Sequence, residues 1–226
     1  MKMNLIEKHF DEIAGNYDFY KAKSKYYYGE LKKLLRQHIP EDKKVFEIGC
    51  GTGDLLVSLK PKVGYGVDLS KEMIKIANNK YTDYKIITFS TLWPKDKYDY
   101  IFMSDVIEHL ENSKETLNKI SRMMDNNTVF IITMANPIWE PLLLIGERLG
   151  LKMPEGQHKR ISYEEIKLMM KMAGLKIIKH NYELLMPVKI PFLTLFVNKY
   201  LEKHLKKYAF IEYFVAKLSK SNKSTY

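Results

Sequence analysis

Apolar residues follow two successive patterns along the chain. Residues 4–14 and 22–38 carry apolar positions at helical spacing, which predicts two helices. From residue 44 onward, short apolar runs alternate with amphipathic segments. The runs predicted to be strands are 44–48, 63–67, 84–89, 98–103 and 128–134, and the segments predicted to be helices are 53–60, 71–79 and 112–124. This alternation predicts a parallel sheet covered by helices on both faces.

The last third of the chain departs from this alternation. Residues 135–160 interrupt it with prolines, glycines and a short apolar helix. The elements predicted after them are helix 162–173, strand 175–184, a proline-broken amphipathic segment at 186–206 and a strand near 208–217. Two strands so close together predict an antiparallel pair at one sheet edge. We therefore expect a doubly wound α/β sheet in one domain over 1–226, with an N-terminal helical cap (1–40) and lid segments at 135–160 and 186–206.

The composition is consistent with a single enclosed domain. The chain has 226 residues, of which 46% are hydrophobic, enough for a sizeable core. Its one cysteine, Cys50, forms no internal disulfide and indicates a reducing compartment. The first residues lack the pattern of a secretory signal, and no run approaches the roughly 18 apolar residues that span a bilayer. We therefore expect a soluble, cytoplasmic protein.

The net charge of +10 raises the question of an anionic partner. Of the 37 basic residues only four are arginine, the side chain that binds phosphate bidentately. We therefore favour a compositional origin for the charge, and we do not expect nucleic acid as a partner.

One basic stretch, residues 188–208, combines an apolar face with lysines. These are Lys189, Lys199, Lys203, Lys206 and Lys207. Such a segment can make peripheral contact with an anionic membrane, or it can pack its apolar side on the sheet. Packing is the favoured expectation.

The stretch VFEIGCGTGDLL (45–56) joins the first predicted strand to a helix through three glycines. A glycine turn at such a junction lets a ligand approach the backbone at the start of the helix. A P-loop would need Lys-Ser/Thr after its last glycine, but Asp54 and Leu55 follow Gly53, which excludes a nucleoside triphosphate. A dinucleotide fingerprint has its third glycine one position later, and Glu47 and Asp54 would repel a pyrophosphate.

Two acidic residues instead favour a ligand with an ammonium group and a ribose. Glu47 beside the glycine turn suits the positive end of an amino acid moiety. Asp68 ends the second strand, 19 residues after Gly49, where an acid typically binds the ribose hydroxyls. An amino acid joined to a ribose without a pyrophosphate describes S-adenosylmethionine (SAM).

Three motifs resemble those of the class I SAM-dependent methyltransferases. They are EIGCGTG (47–53), GVDLS (66–70) and YDYIFMSDVIEHL (98–110), the last especially similar to ubiquinone/menaquinone-type small-molecule methyltransferases. The resemblance covers roughly residues 40–135, with weaker similarity at 158–166 and 174–178. It implies a Rossmann-like seven-stranded sheet with the last strand antiparallel. It also implies SAM as cofactor, S-adenosylhomocysteine (SAH) as product and a small-molecule acceptor.

The resemblance and the motif positions together give a set of candidate site residues. The cofactor-binding candidates are Tyr17, Glu47, Gly49, Cys50, Gly51, Gly53, Asp68, Leu69, Ser90, Thr91 and Ser104. The family commonly has an acidic residue after the third strand for the adenine, and here Ser90 or Thr91 would have to serve. We expect Cys50 to fill space in the loop without acting as a nucleophile.

Candidate catalytic residues follow the fourth strand. Asp105 and His109 are the candidate bases for a hydroxyl acceptor, and His158 in the insertion is a further one. An amine, carboxylate or carbon acceptor would need no base, so the acceptor atom stays open. The apolar residues of the lid segments favour an apolar or lipid-like acceptor. No His, Cys or Asp spacing indicates a metal site, and none is expected.

Three alternatives remain beside a small-molecule methyltransferase. The first is a methyltransferase that acts on RNA or protein, and the second is a protein that binds SAM without catalysis. The third is an amino methylase, indicated by one short motif. The stretch NPIW (136–139) resembles a motif of amino methylases, although Ile138 replaces its second proline and the stretch follows the fifth strand. The oligomeric state is not predicted.

Overall fold

A computed structural model gives the fold of residues 5–150, 152–154, 159–190 and 192–219. The candidate base His158 lies outside these residues. The helices are α1 (Leu5–Lys23), α2 (Lys25–His38), α3 (Asp54–Ser58), α4 (Lys71–Lys80), α5 (Ser113–Met123), α6 (Glu140–Arg148), α7 (Tyr163–Met172), α8 (Leu193–Phe196) and α9 (Glu202–Leu205). The strands are β1 (Lys44–Ile48), β2 (Val63–Val67), β3 (Ile87–Ser90), β4 (Tyr100–Ser104), β5 (Val129–Ala135), β6 (Leu175–Glu183) and β7 (Ile211–Leu218).

The seven strands form one mixed sheet in the order β3-β2-β1-β4-β5-β7-β6. Strands β1 to β5 are parallel, and β7 runs antiparallel to both of its neighbours. The predicted α/β sheet with an antiparallel last strand is confirmed. Ile48 at the end of β1 pairs with Val67 of β2 and Met103 of β4, so the carboxyl ends of three strands meet at the centre of one sheet edge.

Two hydrophobic clusters cover the two faces of this sheet. Successive strand residues point to opposite faces, so Ile101 and Met103 belong to one cluster and Phe102 to the other. The first cluster includes Leu117 of α5 and the second includes Leu34 of α2. Helices therefore cover both faces, as the strand–helix alternation predicts.

Several element boundaries differ from the predicted ones. The first helix extends to Lys23 instead of ending near residue 14. Strand β3 begins at Ile87 instead of residue 84, because Tyr84 N donates to Tyr81 O (2.9 Å) in a turn after α4. The last strand begins at Ile211, after a 3₁₀ turn at Lys206–Tyr208.

The segment around α8 and α9 contradicts the favoured packing. A π-helical turn, Val197–Leu201, joins these two short helices. Phe192 is 87% exposed and Phe196 is 54% exposed, whereas Thr194 is buried at 2%. The expectation that the apolar side packs on the sheet is therefore wrong for these side chains. Within the described residues, no helix has both the length and the apolarity needed to cross a bilayer.

Candidate functional site

A cavity of about 1570 Å³ lies at the carboxyl ends of β1, β2 and β4. Its walls at the sheet include Glu47, Gly49, Gly51, Asp68 and Ser104. Sites for one small ligand typically occupy about 300–1,000 Å³. The cavity is therefore large enough for two ligands side by side.

The glycine loop after β1 forms the tightest wall of this cavity. Gly51 has φ 49° and Gly53 has φ 85°, both in the left-handed region that favours glycine. A Cβ on Gly53 would lie 2.5 Å from the ring of Phe89, and one on Gly51 would lie 3.1 Å from the ring of Tyr17. A side chain at either position would have to displace the neighbouring ring. Gly51 lines the cavity with its N–H donated to Asp68 Oδ2 at 2.8 Å, whereas Gly53 is not among the lining residues.

Glu47 is a buried carboxyl group that faces this loop. It is 1% exposed, lines the cavity and accepts a hydrogen bond from Leu56 N at 3.1 Å through Oε2. Burial raises the pKa of Glu47 well above its ordinary value, although the charge of Lys21 and the hydrogen bond from Leu56 oppose the shift. A costly buried acid in a cavity wall is typical of a binding site.

Asp68 is held by the backbone on the opposite side of the loop. Its Oδ2 accepts from Gly51 N at 2.8 Å and its Oδ1 from Ser70 N at 2.9 Å. Burial raises the pKa of Asp68, and these hydrogen bonds partly offset the rise. A carboxylate has about four lone-pair sites, so the side chain can still accept a hydrogen bond from a hydroxyl group.

Helix α1 lies across the glycine loop and contributes Tyr17 to the cavity wall. The Tyr17 ring lines the cavity beside Gly51, and burial raises the pKa of its phenol well above the ordinary value. Near the start of the helix, Asp11 Oδ1 accepts from Ser70 Oγ (2.5 Å) and from Glu72 N (3.2 Å). These contacts fix α1 against the start of α4.

A second set of contacts, which we name the α1 latch, consists of Asp18, Lys21, Asp54 and Lys80. Lys21 and Lys80 lie 2.8 and 2.7 Å from Asp54, and Lys80 lies 2.7 Å from Asp18. Burial alone would raise the pKa of Asp54, but Lys21, Lys80 and a hydrogen bond from Tyr81 hold it well below the ordinary value. No sequence pattern predicts this latch, because its members lie far apart along the chain.

Asp105 and His109 also line the cavity, after strand β4. Asp105 adopts φ 55°, and its Oδ2 accepts from Tyr27 Oη at 2.5 Å. Burial first, and then the charge of Asp105, raise the pKa of Tyr27 well above its ordinary value, so its phenol stays a donor. His109 lines the cavity and packs edge-on against Phe10, with ring centroids 5.6 Å apart. Tyr27 is a site residue that the sequence analysis missed, although it lies in the conspicuous run KYYYG.

Most of the remaining cofactor candidates line the cavity, but Ser90 does not. Leu69, Thr91 and Ser104 line the cavity, and the buried Ser104 Oγ has no hydrogen-bond partner in the described part of the chain. Ser90 does not line the cavity, and its Oγ accepts from Leu92 N at 3.0 Å. Cys50 lines the cavity, and burial raises its pKa, which is typical of an unreactive thiol.

Apolar side chains form the wall opposite the glycine loop. They are Trp139, Leu142, Leu143, Met186, Val188 and Phe210. Asn136, at the start of NPIW, donates through Nδ2 to Lys207 O at 3.0 Å and Ala209 O at 2.9 Å. The amide therefore ties β5 to the chain before β7. No group of three His, Cys, Asp or Glu residues that could hold a metal occurs among the described residues.

The strand order and the inserted antiparallel β7 define a Rossmann-like methyltransferase fold. Residues 20–180 match the family described as "Methyltransferase domain". The match covers well over half of the chain. The chain therefore belongs to this methyltransferase family.

Individual relatives agree with this assignment. An uncharacterized protein of Methanocaldococcus jannaschii is 31% identical over 134 residues, which are 58% of this chain and 52% of the relative. The ubiquinone biosynthesis O-methyltransferase of Bradyrhizobium diazoefficiens is 27% identical over 128 residues, 51% of this chain and 50% of the relative. The chain thus spans about half the length of the curated relatives that it matches.

The fold extends over nearly the whole chain. A SAM-dependent methyltransferase from Thermotoga maritima superposes with a TM-score of 0.72 at 17% identity, covering 94% of this chain and 99% of the other. At this identity the similarity concerns the fold alone.

Proposed function

We propose that the chain is a SAM-dependent methyltransferase with a small, largely apolar acceptor. The observation that carries the proposal is the placement of Glu47 and Asp68 on either side of the glycine loop, in one cavity. The sole cysteine supports a reducing, cytoplasmic setting.

The residues at the sheet end of the cavity fit SAM by shape and charge. Buried Glu47 suits the ammonium group, and Asp68 suits the ribose hydroxyls. Gly51, which has no side chain, and the Tyr17 ring beside it form a close-packed part of the wall. When bound, the sulfonium supplies an electrophilic methyl group and no covalent intermediate on the enzyme is required.

The chain's own contribution is to position the acceptor and exclude water. Correct alignment of two reactants is worth about 7–11 kcal/mol. Asp105, oriented by Tyr27, can accept the proton of a hydroxyl acceptor, and His109 lies in the same cavity. A base is needed only if the acceptor loses a proton during the reaction.

The apolar wall supports a small organic acceptor over RNA or protein. Trp139 and Phe210 pack edge-on at 5.5 Å, and leucines of α6 continue the surface. Aromatic and aliphatic walls bind apolar or aromatic molecules, whereas a nucleic-acid site needs a basic groove. The ubiquinone O-methyltransferase relatives support the same acceptor class.

Calorimetric titration with SAH tests the cofactor assignment. We expect Asp68→Asn to weaken SAH binding at least about tenfold, or about 1.4 kcal/mol. The exposed Asp83→Asn serves as the control and should bind like the wild type. Absence of SAH binding by the wild type, or equal affinity in Asp68→Asn, would contradict the proposal.

Methyl transfer itself is tested with isotope-labelled SAM and a panel of phenols, quinols and amines. We expect label in an apolar acceptor, and a lower rate in Asp105→Asn with unchanged SAH affinity if that acceptor is a hydroxyl. SAH binding without transfer to any acceptor would favour the catalytically silent alternative.

A further inference from the structure

In the described part of residues 186–205, two uncharged polar side chains, Thr194 and Asn198, face inward, unlike those of an ordinary surface helix. Thr194 Oγ1 donates to Val188 O at 2.7 Å and is buried. Asn198 accepts from Met186 N at 2.7 Å and donates to Met186 O at 3.1 Å. Surface helices of globular proteins normally bury their apolar side. Here hydrogen bonds within the segment hold these polar groups, and Asn198 Nδ2 also donates to Tyr26 Oη of α2 at 3.2 Å.

Six apolar side chains in the described part of this segment are highly exposed. We name them the outer face, and they are Val188, Ile190, Phe192, Leu193, Phe196 and Tyr200, between 44% and 87% exposed. Single exposed apolar residues are common, but a contiguous group of this kind marks an interaction site. Phe192 also has φ 60°, which bulky side chains rarely adopt, so the local backbone does not favour phenylalanine there.

The charges beside the outer face are cationic. Lys189, Lys199, Lys206 and Lys207 are exposed. The acidic residue of the segment, Glu202, is half-buried and accepts a hydrogen bond from Leu184 N at 3.2 Å. Lysine is depleted at protein–protein interfaces, whereas lysines around exposed aromatic residues are typical of contact with anionic lipid.

The outer face is continuous with the mouth of the cavity. Leu142, Ile145 and Leu149, at 51–67% exposed, line the cavity together with Val188. Trp139 Nε1 donates to Tyr208 O at 2.9 Å, which joins the start of α6 to the chain after α9. An apolar molecule could therefore pass from a surface covering the outer face into the cavity without crossing water.

We propose that the outer face docks the protein on the surface of an anionic lipid bilayer. The aromatic side chains enter the interface, and the lysines bind the lipid headgroups. Delivery of the acceptor from the bilayer into the cavity rests on the proposed function, whereas docking does not.

Co-sedimentation with lipid vesicles tests this proposal. We expect the full chain to bind vesicles of phosphatidylcholine mixed with phosphatidylglycerol, and to bind less at high salt because the headgroup attraction is screened. Vesicles of phosphatidylcholine alone should bind more weakly. Phe196→Ser should weaken binding at least about tenfold. Leu168→Ser on α7 is the matched control, because Leu168 is 57% exposed and Phe196 is 54% exposed.

A second variant separates docking from folding. Phe192→Gly relieves the positive φ, so we expect it to remain folded and still lose vesicle binding. A wild type that ignores anionic vesicles, or Phe variants that bind as well as Leu168→Ser, would overturn docking. A wild-type dimer that Phe196→Ser dissociates, seen by light scattering, would instead assign the outer face to self-association. SAH calorimetry on the same preparations reports separately on the proposed function, so vesicle binding without SAH binding would support docking alone.

Discussion

Glu47 illustrates how ligand binding and stability oppose each other at a single residue. Burial raises its pKa above that of the unfolded carboxyl group. The folded protein therefore holds its proton more tightly than the unfolded chain does. Stability from this group is present at low pH and decreases as the pH rises through the ordinary carboxyl range, about 4.3 and above. Ionisation of Glu47 in the folded protein therefore costs free energy, which a cationic ligand beside it would offset.

We therefore expect Glu47→Gln to increase the free energy of unfolding at neutral pH, by about 1 kcal/mol, and to weaken SAH binding at least about tenfold. The amide oxygen can still accept from Leu56 N. Urea denaturation and calorimetry measure the two effects.

Glu183→Gln is the matched control for this substitution. Burial also raises the pKa of Glu183, which does not line the cavity. It should change stability in the same direction without affecting SAH. A Glu47→Gln variant that loses stability, or that binds SAH normally, would show that the buried charge does not have this role.

Most of the predicted cofactor residues line one cavity, because most of them lie in short motifs at the carboxyl ends of neighbouring strands. Their role in binding a cofactor stays a prediction, and Gly53 and Ser90 do not line the cavity. Glu47 and Gly51 belong to a strand–loop–helix unit whose geometry the sequence largely determines, and Asp68 directly follows the neighbouring strand β2. Tyr27 and Lys21 could not be predicted, since helical periodicity does not specify which loop a helix will cross. Their roles depend on the docking of α1 and α2.

At the scale of elements, charged groups attach α1 to two helices beside the glycine loop. The α1 latch joins it to α3 and α4 through two lysines and two aspartates. Because the pKa of Asp54 is held below that of the unfolded chain, this group stabilises the fold above the ordinary aspartate pKa. That stability is lost as the pH falls through the lowered pKa.

We expect Asp54→Asn to lower the free energy of unfolding at neutral pH by about 2 kcal/mol. The difference from the wild type should shrink from about pH 5 downward, because the wild type then loses its charged partner. Denaturation at a series of pH values measures this, with the exposed Asp96→Asn as the control. A difference that stays constant with pH would mean that the charge of Asp54 is not responsible.

The order of the elements along the chain was predictable, but the orientation of one segment was not. Alternating patterns specify strands and helices. Strand β3 begins later than predicted, because a turn after α4 contains the first residues of the predicted strand. The segment around α8 and α9 was assigned the wrong orientation, because an amphipathic pattern reveals two faces without showing which one is inside. Thr194 and Asn198 determine the orientation through hydrogen bonds to the preceding loop.

At the scale of the whole molecule, the cavity joins the sheet edge, α1 and α6. A ligand bound there should stabilise all three, because only the folded chain provides its walls. At a free concentration of about 100 times its Kd, such a ligand contributes about 2.7 kcal/mol.

We therefore expect SAH at that concentration to raise the Tm by about 5–10 °C. Scanning calorimetry measures the shift, and NADH at the same concentration should leave the Tm unchanged. An equal shift with both compounds would indicate a nonspecific nucleotide site.

The position of β7 has a consequence for synthesis of the chain. Residues 211–218 lie between β5 and β6, yet they leave the ribosome after both. Until they emerge, Phe130 and its neighbours in β5 present an open strand edge, the kind of edge on which nascent chains associate with one another. Strand β7 therefore completes the sheet last. A chaperone that shields the edge of β5 during translation would act before the sheet is complete.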